Sequence, residues 1–284
     1  SLLKEATIYV SLEPCSHFGK TPPCCDLIIA NEIPNVVVGT VDPFAKVAGN
    51  GIKKLVESGK NVTVGILEDE CNELNKRFFT FHQKKRPFII LKWAETADGF
   101  IAPISREEKS PVWITNPYSR QLVHKWRTEE QAILVGTNTV LDDNPKLDAR
   151  DFSGNNPVRI VLDKSGKISE NYHVKNNSQK TIFITESENF ISTENCIYEN
   201  AIFDIHLISS ICDILYKNDI QSVIIEGGSK TLQSFIDANL WDEARVFKGD
   251  TTFQNGILAP NISGNPVAGF DIMNDELKIF KNYD

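Results

Sequence analysis

Two cysteines near the amino terminus have the surroundings of metal ligands. Cys15 follows Pro14, and Cys24 follows Pro22 and Pro23, so both thiols lie on backbone whose φ angle proline restricts. A β-like run precedes this stretch and an apolar, helix-like run follows it. Zinc prefers thiolate and imidazole ligands. We therefore predict Cys15 and Cys24 as zinc ligands, although two cysteines without such prolines would be interpreted as structural.

The predicted zinc site is incomplete. Zinc deaminases combine a Pro-Cys…Cys pair with an upstream His-x-Glu, in which the His is a ligand and the Glu transfers protons. No His precedes Cys15, and Cys25 or His17 would have to substitute for the absent ligand. Without the Glu, a zinc-bound water has no proton shuttle. We therefore expect no deamination by this chain as it stands.

A Glu-Gly-Gly turn, residues 226–228, is the sharpest signal in the second half. The apolar run 222–225 predicts a buried strand that ends at the carboxylate, and residues 231–238 predict a helix. Paired glycines let the backbone approach a pyrophosphate, and the N–H groups of a helix amino terminus can bind it. The turn therefore predicts a nucleotide site.

Other polar residues follow predicted strands. Lys92 could bind a phosphate or a carbonyl group, or its side chain could extend along the surface. Trp113 could line a nucleotide pocket or lie in the core. Residues 136–145 predict a hydroxyl- and carboxylate-rich loop, at the place where open α/β sheets bind ligands. Arg150 could clamp a phosphate through two hydrogen bonds.

Composition excludes several classes of function. A chain of 284 residues suits two domains, and 41% hydrophobic residues suffice for a sizeable core. The net charge of −8 argues against a nucleic-acid partner. No apolar run is long enough for a membrane span, and no signal-peptide pattern begins the sequence. Six cysteines, two of them adjacent, favour a reducing cytoplasm over a disulfide framework.

Strand and helix patterns alternate along the chain, which favours α/β layers with parallel strands. In the first part we predict strands over 7–10, 36–41 and 62–67, and helices over 26–32, 52–58 and 69–82. The polar stretch 83–87 predicts a linker between a first domain, 1–83, and a second, 87–284. In the second we predict strands over 88–91, 132–135, 158–162, 181–185 and 222–225, and helices over 119–127, 208–217 and 231–238. Residues 186–204 give no clear element.

The motifs together carry a family resemblance. Residues 12–25 (LEPCSHFGKTPPCC) resemble the zinc half-site of the riboflavin-pathway diaminohydroxyphosphoribosylaminopyrimidine deaminases, and residues 47–52 (VAGNGI) and 74–78 (LNKRF) resemble the rest of that domain. In this family the deaminase is fused to a 5-amino-6-(5-phosphoribosylamino)uracil reductase, which the second half resembles. The resemblance implies a partial cytidine-deaminase-like α/β domain followed by a dihydrofolate-reductase-like α/β domain.

The resemblance also implies cofactors and site residues. It implies NADPH for the reductase and zinc for the deaminase. The residues that it places against the ribose-phosphate substrate are Lys92, Arg127, Leu147, Arg150 and Glu226. Those that it places against NADPH are Ala94, Trp113, Thr139, Asp143, Lys164, Gly227, Gly228, Thr231 and Leu232. Lys92 and Glu226 would position the substrate, and Asp143 would handle a proton near the reacting carbon.

Three features depart from the family pattern. Residues 103–111 form a longer segment than usual, with Pro111 where the family often has Ser. Lys164 replaces a small residue near the cofactor, and the Glu-Gly-Gly turn carries one additional residue. The sequence begins at Ser1 and its only methionine is Met273, so we expect a fragment or a processed form of a longer protein.

The sequence as a whole predicts an NADPH-dependent reductase of the riboflavin pathway, attached to part of a zinc deaminase domain. The reaction opens the ribosyl ring and delivers hydride to its C1′ carbon. We expect a cytoplasmic homo-oligomer, a dimer or a tetramer, that binds a phosphoribosylaminopyrimidine. Three alternatives stay open: the intact bifunctional enzyme in a longer parent protein, a reductase of another substrate such as a pterin, and a non-catalytic zinc-bound scaffold. Arg127 and Arg150 favour a phosphorylated substrate over a pterin.

Overall fold

The computed structural model describes residues 2–19, 21–43, 48–105 and 112–283. Lys20, Val47 and Pro111, which belong to segments singled out above, lie outside these ranges. The chain divides into two compact units, Ser1–Arg86 and Pro87–Asp284. No helix within the described ranges is long and apolar enough to span a bilayer.

The first unit consists of a small parallel sheet and its helical connections. Its strands are β1 (Thr7–Leu12), β2 (Asn35–Thr40) and β3 (Asn61–Val64), and its helices are α1 (Cys24–Ala30), α2 (Asn50–Glu57), α3 (Glu68–Leu74) and α4 (Lys76–Lys84). β2 pairs in parallel with both β1 and β3. Parallel neighbours need a crossover between them, which α1 and α2 provide. Val36 and Val38 of β2 are fully buried against Ile28 of α1 and Leu55 of α2.

The helix predicted over 69–82 is interrupted in the structure. The backbone N–H and the side-chain amide of Asn75 both donate to the carbonyl oxygen of Cys71, at 3.1 and 2.8 Å. A side chain that bonds its own turn competes with helix propagation, so α3 and α4 are separate helices. α4 continues to Lys84, through part of the stretch predicted as a linker.

The second unit is built on a large mixed sheet. Its strands are β4 (Phe88–Glu95), β5 (Phe100–Pro103), β6 (Ala132–Gly136), β7 (Val158–Leu162), β8 (Thr181–Thr185), β9 (Cys196–Asn200), β10 (Ser222–Glu226), β11 (Glu243–Lys248), β12 (Gly256–Leu258), β13 (Ala268–Ile272) and β14 (Asp275–Lys281). Its helices are α5 (Pro117–Glu129), α6 (Thr137–Asp143), α7 (Leu207–Lys217) and α8 (Ser229–Asp237). The sheet order is β13-β14-β11-β4-β10-β6-β7-β8-β9, and β12 pairs separately with β5.

The middle of this sheet is parallel and buried on both faces. β11, β4, β10, β6, β7, β8 and β9 pair in parallel, whereas β14 is antiparallel to β11 and β13. Ile89 and Leu91 of β4 pack into a core with α7 and α8, and Ile90 packs on the opposite face with α5. Continuous apolar runs are typical of such strands. The carboxyl ends of β4, β10, β6 and β7 therefore meet at one edge of the sheet.

Residues 136–145 are not the loop that the sequence predicts. Thr137–Asp143 of this stretch form α6, whose Val140 is fully buried in a core cluster. Packing of this one side chain outweighs the low helix propensity of the surrounding Thr, Asn and Asp residues. The helix ends at Asn144, whose φ of +42° is left-handed.

Residues 186–204 contain β9, and β11 to β14 follow the last predicted helix. β9 pairs only with β8 among the described residues, and most of its side chains are half-buried or exposed. A half-exposed edge strand of this kind gives a weak sequence signal.

Candidate functional site

The second unit contains a cavity of about 1240 Å³ at the edge where β4, β10, β6 and β7 end. Lys92 and Glu226 reach it from β4 and β10, where they are register partners. Gly136 reaches it from the end of β6 and Lys164 from the turn after β7. Ligands of open α/β sheets bind outside the carboxyl ends of strands in this way.

An ion-pair cluster lies in this cavity. Arg127 Nη2 lies 2.8 Å from Glu226 Oε2 and its Nε lies 3.4 Å from Oε1, so the contact is bidentate. Lys92 Nζ lies 3.8 Å from the same Oε2. The three side chains are only 12–15% exposed. A carboxylate is thus held between two cations, with little access to bulk water.

The cluster keeps Glu226 ionised. Burial alone would raise the pKa of its carboxyl, but Arg127 and then Lys92 outweigh burial and lower the pKa to about 2. Burial lowers the pKa of Lys92, Glu226 opposes this, and Arg127 adds to it. Glu226 is therefore a hydrogen-bond acceptor at neutral pH, and it cannot serve there as a general acid.

Helix α5 places Arg127 in the cluster. The helix begins at Pro117, and the side chain of Asn116 caps it by accepting from the backbone N–H groups of Tyr118 and Ser119. Pro at the first helical position and Asn at the cap are favoured starts. The Asn116 amide also donates to the carbonyl of Ile272, at 2.7 Å. The cap therefore anchors α5 to β13, and the orientation of Arg127 follows from it.

The Glu-Gly-Gly turn joins β10 to α8 against the end of β6. A Cβ at Gly136 would come within 2.9 Å of Thr231 Oγ1, so the two turns are closely packed. Gly228 is the amino-terminal cap of α8, has open space where a side chain would lie, and provides no side-chain cap. The first N–H groups of α8 are thus without a side-chain cap where the helix meets the cavity, as a bound phosphate requires.

A segment between α6 and β7 lines the cavity and carries Leu147 and Arg150. Arg127 Nη1 donates to the carbonyl oxygen of Asp148 at 3.0 Å, and His124 Nδ1 lies 3.0 Å from the same oxygen. Arg150 Nη1 donates to Asp148 Oδ1 at 2.7 Å, and the Arg150 side chain is 45% exposed. Arg127 is engaged within the protein, whereas Arg150 presents an accessible guanidinium.

Most of the predicted site residues lie around this one cavity. Those that line it are Lys92, Ala94, Trp113, Arg127, Thr139, Asp143, Leu147, Arg150, Lys164, Glu226, Gly227, Gly228 and Thr231. Leu232 does not, because its side chain is fully buried in the core beside α7. Trp113 is 56% exposed, and the Arg120 guanidinium lies 4.6 Å from its ring centre. The core alternative for Trp113 is therefore wrong.

Sequence reasoning missed two residues of α5 that line the cavity, Arg120 and His124. Together with Arg127 they follow the spacing i, i+4, i+7, which places three side chains on one face of a helix. A search of the predicted helix for polar residues on one face would have found both.

The first unit brings Cys15 and Cys24 together in a separate cavity of about 580 Å³. The backbone N–H of Cys24 donates to Cys15 Sγ at 3.3 Å, and burial raises the pKa of the Cys24 thiol. Cys25 is no substitute ligand, because its fully buried thiol donates to the carbonyl of Pro14 at 3.1 Å. In the ranges that the structure describes, no group of three or more His, Cys, Asp and Glu could hold a metal. These residues do not fit a zinc site.

Comparison with known proteins shows the family to which the chain belongs. Residues 87–251 match the RibD C-terminal domain. A riboflavin biosynthesis protein RibD from Aquifex aeolicus is 38% identical over 288 residues, which cover 98% of this chain and 77% of that protein. The chain belongs to the RibD family. The prediction of a riboflavin-biosynthesis protein with a reductase domain is confirmed.

Two solved structures of the RibD family resemble the whole chain. The deaminase/reductase from Thermotoga maritima is 37% identical with a TM-score of 0.85, over 97% of this chain and 79% of that one. RibD from Acinetobacter baumannii is 25% identical with a TM-score of 0.87, over 100% of this chain and 82% of that one. The mixed α/β fold with a central sheet is confirmed. The finer assignments to dihydrofolate-reductase-like and cytidine-deaminase-like domains, and the oligomer, stay predictions.

Proposed function

We propose that the second unit catalyses the NADPH-dependent reduction of 5-amino-6-(5-phosphoribosylamino)uracil to its ribitylamino product. The observation that carries the proposal is the cluster of Lys92, Arg127 and Glu226, which shares one cavity with the glycine-preceded start of α8. The part of the cavity that holds the ion-pair cluster suits a polar sugar-phosphate substrate. The part at the start of α8, with its backbone N–H groups, suits the pyrophosphate of a dinucleotide.

The order of the strands supports a direction for the cofactor. β4 and β7 are three spacings apart in the sheet, roughly 14 Å, which suits a dinucleotide laid across the strand ends. NADPH supplies the hydride when it is bound. Because that hydride must reach a substrate beside Lys92, Ala94 and Trp113 would hold the nicotinamide end. Gly227 and Gly228 would hold the pyrophosphate.

Lys164 would then contact the adenosine end. It follows β7, its side chain is 56% exposed, and its Nζ lies 3.5 Å from Glu186 Oε1. Glu186 also accepts from the backbone N–H of Phe203 at 2.6 Å. A lysine here offers an ammonium to the 2′-phosphate that distinguishes NADPH from NADH, and that contact would compete with its ion pair to Glu186.

Four residues of the cavity have separate roles toward the substrate. Glu226, ionised and held by two cations, accepts hydrogen bonds from ribose hydroxyl groups. Lys92 donates to the sugar and keeps the Glu226 carboxylate in place. Arg150 binds the phosphate. Opening of the ribosyl ring needs a proton delivered to the ring oxygen, and Asp143, which lines the cavity at the end of α6, handles that proton.

The experiment is NADPH oxidation by the purified chain with three substrates: the uracil ribosyl-phosphate, its undeaminated pyrimidine precursor and a dihydropterin. Oxidation with the uracil compound alone is the expected result. Oxidation with the pterin alone would replace the proposal with a reductase of another substrate. Binding of NADPH without turnover of any of the three would favour the non-catalytic alternative.

A further inference from the structure

The segment that carries Leu147 and Arg150 is held in an unfavourable backbone conformation. Asn144 has a φ of +42° and Leu147 a φ of +55°. A left-handed conformation is unfavourable for a non-glycine residue, and Leu has no short polar side chain to offset it. Contacts with the rest of the domain must therefore hold this segment in place.

His124 provides two of these contacts. Its ring is 4% exposed, with Nδ1 3.0 Å from the carbonyl oxygen of Asp148 and Nε2 3.1 Å from Asp151 Oδ2. A carbonyl oxygen only accepts, so Nδ1 must carry a proton. The neutral ring then presents a lone pair to Asp151, and only the doubly protonated ring donates to both partners.

The charges around His124 favour the neutral ring. Burial lowers the pKa of His124, Arg127 and Arg150 lower it further, and Asp151 opposes them. Glu226 also faces the ring, and Asp148 lies beside it through its carbonyl oxygen. At neutral pH His124 therefore holds the segment through the carbonyl oxygen of Asp148 and not through Asp151.

Asp148 passes this constraint to Arg150. Its carbonyl oxygen accepts from α5, while its carboxylate accepts from Arg150 Nη1 at 2.7 Å. One nitrogen of the guanidinium is thereby fixed, and 45% of the side chain stays exposed for a ligand. His124 and Arg127 each donate one hydrogen bond to the carbonyl oxygen of Asp148. Loss of the bond from His124 would remove one of these two bonds, on which the position of Arg150 depends.

We propose that His124 is a positioning residue, which holds Asp148 so that Arg150 meets the phosphate of the phosphoribosyl substrate. The inference rests on the proposed function, because that function supplies a phosphorylated substrate. It concerns ground-state binding of the phosphate end, and not the chemistry at the C1′ carbon.

Two substitutions separate the two nitrogens of the ring. His124→Asn keeps a donor near the Nδ1 position, whereas His124→Gln places one near the Nε2 position. We expect His124→Gln to raise the KM for the phosphorylated substrate about tenfold, the worth of one good hydrogen bond, with kcat within about twofold. His124→Asn should have a KM for the phosphorylated substrate close to that of the wild type, because its amide replaces the donor at the Nδ1 position. The KM for NADPH should not change in either variant.

The phosphate-free riboside is the decisive control. Arg150 has no phosphate to meet in it, so wild type and His124→Gln should bind it equally. Equal KM increases for the phosphorylated and phosphate-free substrates would show a merely structural role, and so would a loss in His124→Asn as large as in His124→Gln. If the wild type does not oxidise NADPH, the proposed function fails, and calorimetric binding of the two substrates to the same variants still decides this inference.

A pH profile tests the second nitrogen without altering the first. Protonation of His124 adds the bond to Asp151, so the segment should tighten on the acid side in the wild type and not in Asp151→Ala, which cannot bond the ring in either protonation state. At each pH the KM of the variant is divided by the KM of the wild type. Ionisation of the substrate phosphate affects both proteins equally and therefore cancels in this ratio. We expect this ratio to be about one at neutral pH and to rise about twofold or more below about pH 6. A ratio that stays flat would contradict the assigned ring geometry, and the test also serves if His124→Gln does not fold.

Discussion

Each unit of the chain has a glutamate in the wall of a cavity, and Glu13 of the first unit and Glu226 of the second are held in opposite ways. Glu13, 3% exposed, accepts four backbone N–H groups, from Asp42, Gly49, Gly51 and Ile52, at 2.8–3.2 Å. Glu226 is held by the long side chains of Arg127 and Lys92. Backbone donors surround the first carboxylate, whereas side chains on one side hold the second.

The difference distinguishes a carboxylate that acts as a structural anchor for the backbone from one that can bind a ligand. A carboxylate that accepts four backbone N–H groups has its lone pairs occupied and fixes the conformation of a loop. A carboxylate paired with side chains keeps acceptor capacity for a ligand, and its partners can rearrange when the ligand binds. The same contrast holds for the cavities: thiols and apolar side chains dominate the first, and charges from separate elements meet in the second.

The largest expected effect comes from Glu226→Gln. The substitution leaves Arg127 and Lys92 partly buried without their anion, and it removes the acceptor for the substrate. We expect kcat/KM in NADPH oxidation to fall about 100-fold or more and the free energy of unfolding to fall by about 3 kcal/mol. Glu129→Gln is the matched control, because Glu129 of α5 forms an exposed ion pair with Lys125 of the same helix. A turnover close to wild type would make Glu226 an anchor like Glu13.

Asp143→Asn should have the next largest effect. It removes the group proposed to deliver a proton during ring opening while keeping the size of the side chain. We expect kcat to fall about 100-fold with little change in the KM for NADPH. Asp213→Asn, at an exposed position of α7 that is absent from the cavity lining, should stay near wild type. Unchanged kcat in Asp143→Asn would remove this residue from the proton-transfer step.

Lys164→Ala should change selectivity rather than turnover. The ammonium proposed to meet the 2′-phosphate is lost, so kcat/KM for NADPH should fall about tenfold while that for NADH stays constant. Lys167→Ala, an exposed position in the same turn that is absent from the cavity lining, provides the comparison. An equal fall for both nucleotides would place the 2′-phosphate elsewhere.

The smallest effect is expected in the first unit. In the double variant Cys15→Ser, Cys24→Ser the reductase rate should stay within about twofold of wild type. Added zinc should shift the Tm of neither protein, because two thiols without a third ligand bind the metal weakly. Cys25→Ala should instead lower the free energy of unfolding by about 1 kcal/mol, since its side chain is fully buried. A zinc-dependent rise in Tm that is lost in the double variant would contradict this expectation.

The parts of the site that sequence could predict are those with a local signature. Glu226 follows the apolar run 222–225 and Lys92 follows the apolar run 88–91, so the sequence alone placed both at the ends of predicted strands, although β4 continues to Glu95. Trp113 and Arg150 were reached through motifs of the family. In each case the nearest neighbours in the chain carried the signal.

The parts that sequence did not predict depend on distant contacts. α6 forms because Val140 is buried by residues remote in sequence, and Leu232 turned inward because α8 packs on the core. The role of His124 depends on the carbonyl of Asp148, and a carbonyl has no residue type that a pattern could detect. The half-exposed strands β9 and β13 obtain their conformation from their partners.

The position of β4 in the sheet has a consequence for synthesis of the chain. Strand β4 has no strand neighbour until the ribosome has made Ser222 of β10, which pairs with Phe88, and later Glu243 of β11, which pairs with Ile90. Until then an apolar strand that carries Lys92 has no partner on either side, and non-local pairing of this kind is slow and prone to aggregation. The ion-pair cluster is therefore assembled late, and β4 must be protected in the nascent chain until β10 has been made.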